Sequence, residues 1–280
     1  MKLASFHVNG RNAFGVVLEN SVLDLSAAFS GKASSLRDLL GQLDAVEAAL
    51  SDSPEIPLDE VQFLPVIPEP SKIFCIGVNY VSHLAETGRE RPERPMIFTR
   101  FANSQTGHGQ PMVKPRESSM FDFEGELAVV VGKAGRRIAK EKAFDHVAGY
   151  SCYNDGSVRD WQRHTTQFTP GKNFPDTGAF GPCLVTRDEF GDPSSHTIET
   201  RLNGEVMQHA GIDDLVFDVP TLIEYCSTFT RLEPGDVIVT GTTGGVGAFR
   251  TPPVWMKDGD VVEVEISGIG VLRNPVVGER

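Results

Sequence analysis

The sequence predicts a β-rich α+β protein: a mixed-strand body over residues 71–280, preceded by a small α/β unit and linker over residues 1–70. Three observations predict it. Short runs rich in Val, Ile and Phe recur along the chain with long loops between them. Helical spacing is confined to a few segments. Prolines at 54, 57, 65, 68 and 70 separate the first unit from the rest.

Taken in order, residues 2–8 and 13–18 alternate loosely across an Asn9-Gly10 turn signal, and 21–25 add a short third strand. Residues 34–50 carry Leu36, Leu39, Leu40, Leu43, Val46 and Leu50 at helical spacing, with a serine at the start as cap. In the body, residues 73–77, 95–98, 127–131, 183–186, 198–202, 237–240 and 261–266 read as short strands. Helical spacing returns at 217–229 and more weakly at 79–87.

Composition narrows the function classes. A chain of 280 residues, 40% hydrophobic and 23% charged, is ordinary for a globular protein. No apolar run approaches the roughly 20 residues of a membrane span. The opening M-K-L-A-S-F-H-V-N-G has no secretory pattern. Cys75, Cys152, Cys183 and Cys226 are scattered without a C-x-x-C, which argues against structural zinc and for a reduced, cytoplasmic setting. The net charge of −12 argues against nucleic-acid or anionic-membrane partners. An anionic substrate would need a locally basic pocket.

Four segments carry chemistry. D-F-E-G-E-L-A-V-V-V, from Asp122 to Val131, is expected as one strand on which Asp122, Glu124 and Glu126 share a face. Carboxylates side by side on a buried strand repel one another and call for a hard divalent cation. Oxygen ligands suit Mg²⁺, Mn²⁺ or Ca²⁺ rather than zinc. Alone, the pattern fits an exposed acidic strand end equally well. In N-Y-V-S-H-L-A-E, His83 and Glu86 are three apart and share a helix face, so the carboxylate can orient the imidazole as a general base. By themselves these two read more plainly as a surface pair. A helix starting near Asp155 would put Arg159 and Gln162 beside that carboxylate. Arg159 and Lys172 are natural partners for a substrate carboxylate or a developing oxyanion, although either one singly reads as surface. Finally, P-G-D-V-I-V-T-G-T-T-G-G-V-G ends a strand in a glycine-rich loop whose amides can converge on an anion, with Thr242 as an added donor. It lacks the G-K-[ST] of a P-loop.

In this order the segments, with R-L-N-G-E-V-M-Q, R-L-E-P-G-D-V-I-V-T-G-T and G-D-V-V-E-V-E-I-S-G-I-G, resemble the fumarylacetoacetate hydrolase family from about Ser71 to the C-terminus. The resemblance implies a mixed β-roll catalytic domain, a homodimer, and a Mg²⁺ or Mn²⁺ ion held by Glu124, Glu126 and Asp155. Asp122 would stand behind the ligands or at the strand entry. His83 and Glu86 would lie on a lid helix over bound substrate. Three departures matter. Ile76 stands where larger members carry an additional metal-binding Asp, so three carboxylates are expected. G-T-T at Gly241 to Thr243 replaces the usual G-T-P. Arg100 replaces a common Lys, which points to a different substrate tail.

The chemistry so implied starts from a small anionic 2-oxo acid on the metal. The leading expectation is hydrolysis of a C–C bond in an acylpyruvate or related 2,4-dioxo acid, in catabolism of aromatic compounds or sugar acids. His83, oriented by Glu86, would activate water, and Lys172 with Gln162 would hold the oxyanion. The alternative is a decarboxylase, or an isomerase or tautomerase, of a 2-oxo acid on the same site, because the fold hosts all of these reactions.

Overall fold

The computed structural model describes residues 1–280 and is built on two large sheets. The larger runs, from edge to edge, Glu55–Pro57, Ser21–Asp24, Arg11–Val17, Lys2–Val8, Gly178–Thr186, Val147–Asn154, Gly125–Val131, Val237–Thr242, Ile73–Gly77, Met96–Arg100. Along that path every pair is antiparallel except Val237–Thr242 on Ile73–Gly77. The smaller sheet runs Glu205–Gly211, Thr197–Leu202, Val261–Ile266, Gly270–Gly278, Met112–Lys114, and its last pair is parallel. This is the β-rich mixed architecture expected from the sequence.

Gly125–Val131 is buried at every position. Leu127, Val129 and Val131 face a core of 40 buried residues that also takes Ile198, Val262 and Val264 from the smaller sheet. Ala128 and Val130 face the other way, into a core of 22. A strand covered on both faces needs no polar alternation, which is why it reads V-V-V. Each such buried Val or Leu contributes about 1.5–3 kcal/mol.

The second core explains where the first seventy residues go. Leu3, Phe14, Leu36 and Leu39 pack there against Ala128, Val130, Phe180 and Val237. Lys2–Val8 pairs with Gly178–Thr186 through Leu3 opposite Leu184. The expected N-terminal unit thus extends the body's sheet and roofs one face of it, because its few strands cannot cover their own apolar side. Residues 34–50 are not one helix. They form the short turns Leu36–Leu39, Leu40–Ala45 and Val46–Ala49, with Gln42 off helical geometry at φ −137° and ψ 23°. Gly41, a poor helix former, precedes the break. The helix expected at 217–229 starts at Val219, where Asp218 caps the Thr221 amide at 2.9 Å and Pro220 fills the first turn.

Register positions the site. Gly125 lies opposite Asn154 and Glu126 opposite Thr242, so the start of the central strand meets the ends of both neighbours. The approach at Gly125 is close: a Cβ there would stand 2.1 Å from Thr200 Oγ1. Gly125→Ala is expected to destabilise by about 1–3 kcal/mol and, lying between Glu124 and Glu126, to weaken metal binding. Thermal melts and a metal titration check this. An unchanged melting temperature would mean that Thr200 simply turns aside.

Candidate active site

The acidic segment is not one strand. Phe121–Asp122 pairs with Ser157–Val158, residues 123–124 fall in a break, and Gly125–Val131 follows. In the break, side chains replace ladder bonds: Asn154 Oδ1 accepts the Glu124 amide at 3.0 Å and Glu124 O accepts the Asp155 amide at 2.8 Å. Asp122 therefore turns away from the other acids. It accepts the Gly247 and Ala248 amides at 2.8 and 2.9 Å and Arg159 Nε at 2.8 Å. Glu124, Glu126 and Asp155 are buried, and one carboxylate oxygen from each lies within 4.8 Å of the others. Ile76 borders the same cavity and adds no charge.

Three cations answer these acids. Lys172 Nζ donates to Glu124 Oε2 at 2.5 Å, Asp155 Oδ2 at 2.6 Å and Asp155 O at 3.2 Å, and lies 5.1 Å from the centre of the Phe98 ring. Arg159 Nη2 stands 2.6 Å from Glu124 Oε1 but badly angled, a charge contact rather than an aligned hydrogen bond, while Nη1 donates to Gln162 Oε1 at 2.9 Å. The helix expected near Asp155 starts only at Arg159, after Ser157–Val158. Arg159 consequently serves Asp122 and Glu124 instead of Asp155, and holds Gln162. Arg100 corrects a further expectation. It is buried outside the cavity wall and donates to Asp155 Oδ1 at 2.6 Å, Gly156 O at 3.0 Å and Thr177 Oγ1 at 2.8 Å. Its planar fork holds a candidate ligand and the adjoining backbone together, so it does not read a substrate tail.

Thr242 borders the cavity, but its hydroxyl donates to Gly125 O at 3.0 Å and accepts from Gln208 Nε2 at 2.7 Å. Gln208 is a positioning residue that sequence reading missed. Its Oε1 accepts the Gly125 amide at 3.0 Å and its Nε2 also reaches Thr243 O at 3.0 Å. Its one signal is its place at the end of R-L-N-G-E-V-M-Q, beside the buried Met207. The glycine loop likewise turns inward. Gly241, at φ +106°, gives its amide to Glu126 Oε2 at 2.5 Å, so this N–H binds an acid of the chain and not an outside anion.

Charge shows what is missing. Asp122, Glu124, Glu126 and Asp155 face Arg100, Arg159 and Lys172, four negatives against three positives. Glu126 is the acid with no cation of its own. Burial, then Asp155 and Glu124, push its carboxyl well above the usual range. For Glu124 burial is outweighed by Arg159 and Lys172, which bring it down to about 2. Burial opposes the Lys172 charge too, yet Asp155 and Glu124 raise its pKa above the ordinary value. A buried acid without a counter-charge beside two fixed ones fits a divalent cation with oxygen ligands.

His83 and Glu86 stand on the helix Val81–Thr87, which Gly88 ends at φ +65°. His83 Nδ1 is 2.6 Å from Glu86 Oε1. A carboxylate only accepts, so Nδ1 carries the hydrogen and Nε2 is left for the cavity. Glu86 Oε2 accepts the Gly245 amide at 2.8 Å and Ser82 Oγ accepts the Gly244 amide at 3.2 Å, which latch the helix to the glycine loop. His83, Glu124, Glu126, Arg159, Lys172 and Gln162 thus meet in one cavity of about 90 Å³. Its walls include Phe98, Phe168 and Phe249, and Phe249 stands edge-on to His83 with ring centres 5.9 Å apart. The four cysteines are free and buried, and no helix is long and apolar enough to cross a membrane.

Known proteins are similar to this chain over most or all of its length. A mitochondrial oxaloacetate tautomerase of Xenopus laevis is 39% identical over 288 residues, covering 99% of this chain and 90% of the relative. An oxaloacetate tautomerase of Bacillus subtilis is 46% identical over 224 residues, covering 78% and 74%. Among solved structures, a fumarylacetoacetate hydrolase from Exiguobacterium antarcticum superposes with a TM-score of 0.89 at 35% identity over 100% of both chains. A maleylpyruvate hydrolase from Sphingobium sp. SYK-6, in complex with manganese(II) and pyruvate, gives 0.85 at 30% identity over 100% of both. The model of the fumarylacetoacetate hydrolase C-terminal family matches residues 72–277, and the chain belongs to that family.

Proposed function

We propose that the protein is a divalent-metal-dependent tautomerase that interconverts the keto and enol forms of oxaloacetate or a closely similar small 2-oxo dicarboxylic acid. The observation that carries this reading is the cavity itself. It ends on a carboxylate cluster beside an imidazole nitrogen without a protein partner. A base beside a metal-binding cluster supplies what moving a proton on a 2-oxo acid needs. The similarity to oxaloacetate tautomerases points the same way.

Lys172 also bears on the choice between hydrolase and tautomerase. Lys172 donates to Glu124 Oε2, Asp155 Oδ2 and Asp155 O, which supports a role in holding the acids over one in holding a tetrahedral oxyanion.

Glu124, Glu126 and Asp155 would hold Mg²⁺ or Mn²⁺. When bound, the ion polarises the 2-oxo group and so acidifies C3. Tautomerisation moves one proton from C3 to the 2-oxo oxygen. His83 Nε2 takes it from C3 and gives it up at the oxygen, while Glu86, through Nδ1, stabilises the imidazolium in between. Arg159 and Gln162 orient the acid end of the substrate, and the three phenylalanines keep bulk water out. The reading retains a homodimer, which light scattering tests.

The deciding experiment uses metal-stripped protein with and without Mg²⁺ or Mn²⁺. It follows decay of the oxaloacetate enol absorbance, deuterium exchange at C3 and product mass. Metal-dependent exchange at unchanged carbon skeleton is expected. Catalysed release of carbon dioxide, or cleavage of acylpyruvates to pyruvate and a carboxylic acid without such exchange, would replace the reading by a decarboxylase or a hydrolase.

A further inference from the structure

The cavity has two more cations at its mouth. Arg89 directly follows Gly88, which ends the helix carrying His83 and Glu86, and Arg163 directly follows Gln162. Both border the cavity and both are exposed. Deeper in, Arg159 and Lys172 are held by Glu124. Arg89 and Arg163 differ: their guanidinium groups make no ion pair and no hydrogen bond to the protein. The acids that border the cavity, Glu124 and Glu126, belong to the floor. Between floor and mouth the wall is aromatic, from Phe98, Phe168 and Phe249.

From this polarity we infer that Arg89 and Arg163 are specificity-determining residues that receive the distal carboxylate of a dicarboxylic substrate. The inference rests on the tautomerase reading for the identity of the substrate, though not for the chemistry of the mouth. A substrate whose 2-oxo acid end lies at the acidic floor must point its other end outward. If that end is a carboxylate, it meets two guanidinium groups whose forks match its two oxygens. If it is a methyl group, it meets the same charges and gains nothing. The arginines border the cavity from two different segments, one on each side in sequence of the acidic cluster's strand. Arginines that do not meet the substrate would make no distinction between the two acids.

The test compares oxaloacetate with 2-oxobutyrate, which keeps the chain length and replaces the distal carboxylate by a methyl group. In Mg²⁺-loaded wild-type protein, Arg89→Gln, Arg163→Gln and the double variant, two quantities are measured: C3 deuterium exchange and calorimetric affinity. The double variant is expected to raise KM and Kd for oxaloacetate on the order of 10- to 100-fold, as for a lost charged hydrogen bond. Its kcat, and both constants for 2-oxobutyrate, are expected to move less than about threefold, within ordinary context variation. Equal losses on both substrates, or no loss on either, would overturn the inference. Arginine-dependent binding of oxaloacetate without C3 exchange would sink the tautomerase reading and leave this one standing. Normal exchange without discrimination by the variants would do the reverse.

Discussion

His83→Ala is expected to lower metal-dependent C3 exchange by about 10²–10⁴-fold, the usual contribution of a positioned general base, while the metal still binds. The two halves of that result come from separate parts of the geometry. His83 hydrogen-bonds to Glu86 and stands edge-on to Phe249, and makes no hydrogen bond to the three clustered acids. On the proposed reading, removing the ring takes away the group that holds the proton in transit and leaves the hydrogen bonds of Glu124, Glu126 and Asp155 in place. Glu86→Gln makes a graded companion. It keeps the shape but loses the charge that favours the imidazolium, so a loss on the order of 10-fold is expected, smaller than for deleting the base. Calorimetric Mg²⁺ or Mn²⁺ affinity, measured beside the exchange rate, separates the cases. Exchange at the wild-type rate in His83→Ala would remove this residue from proton transfer.

Glu126→Gln should have opposite effects on the metal-free and metal-loaded protein. Loss of a direct ligand is expected to weaken metal binding by at least about 100-fold, beyond the 10- to 100-fold typical of groups behind the ligands. The metal-free variant, by contrast, is expected to be more stable than the metal-free wild type. Glu126 is buried near Asp155 and Glu124 and has the Gly241 amide as its partner, which a glutamine oxygen can still accept. Its folded pKa lies well above its ordinary value. The folded state therefore binds the proton more tightly than the unfolded state. The resulting stability is full below the unfolded pKa and lost as pH rises through the folded one. Melting temperature of the metal-free wild type should accordingly fall as pH is raised through that window. The fall should be much reduced in Glu126→Gln and reversed by added metal. Each ~1 kcal/mol is worth about 2–4 °C in a domain of this size. A pH-independent melting temperature in the metal-free wild type, or undiminished metal affinity in the variant, would count against this account of the cluster.

Much of this site is legible in one dimension because its chemistry is local. His83 and Glu86 are three residues apart on a helix, and that spacing alone brings imidazole and carboxylate together. Glu124, Glu126 and Asp155 stand on either side of a single strand pairing, so acidic residues beside an apolar run already suggest a cation. The β-rich class follows in the same way from short Val- and Ile-rich runs, because each run needs covering on both faces.

What the sequence left open are choices among partners distant along the chain. Asp122 looked equivalent to Glu124 until the backbone broke between them and the Gly247 and Ala248 amides claimed it. Arg100 looked like a reader of substrate, but lies 55 residues from the Asp155 it holds. Thr242 and Gln208 proved to be mutual supports across two strands. Residues 34–50 carried the periodicity of a helix, yet were bent to cover a sheet belonging mostly to the rest of the chain.

The sequence by itself determined the family, the acidic cluster and the oriented base, since each depends on residue type at short spacing. Only the tertiary structure decided which cations neutralise which acids, which side chains line the cavity, and which arginines remain free at its mouth. The physical reason is that a buried charge takes the nearest partner in space, and distance in space is set by strand register and core packing rather than by position in the chain.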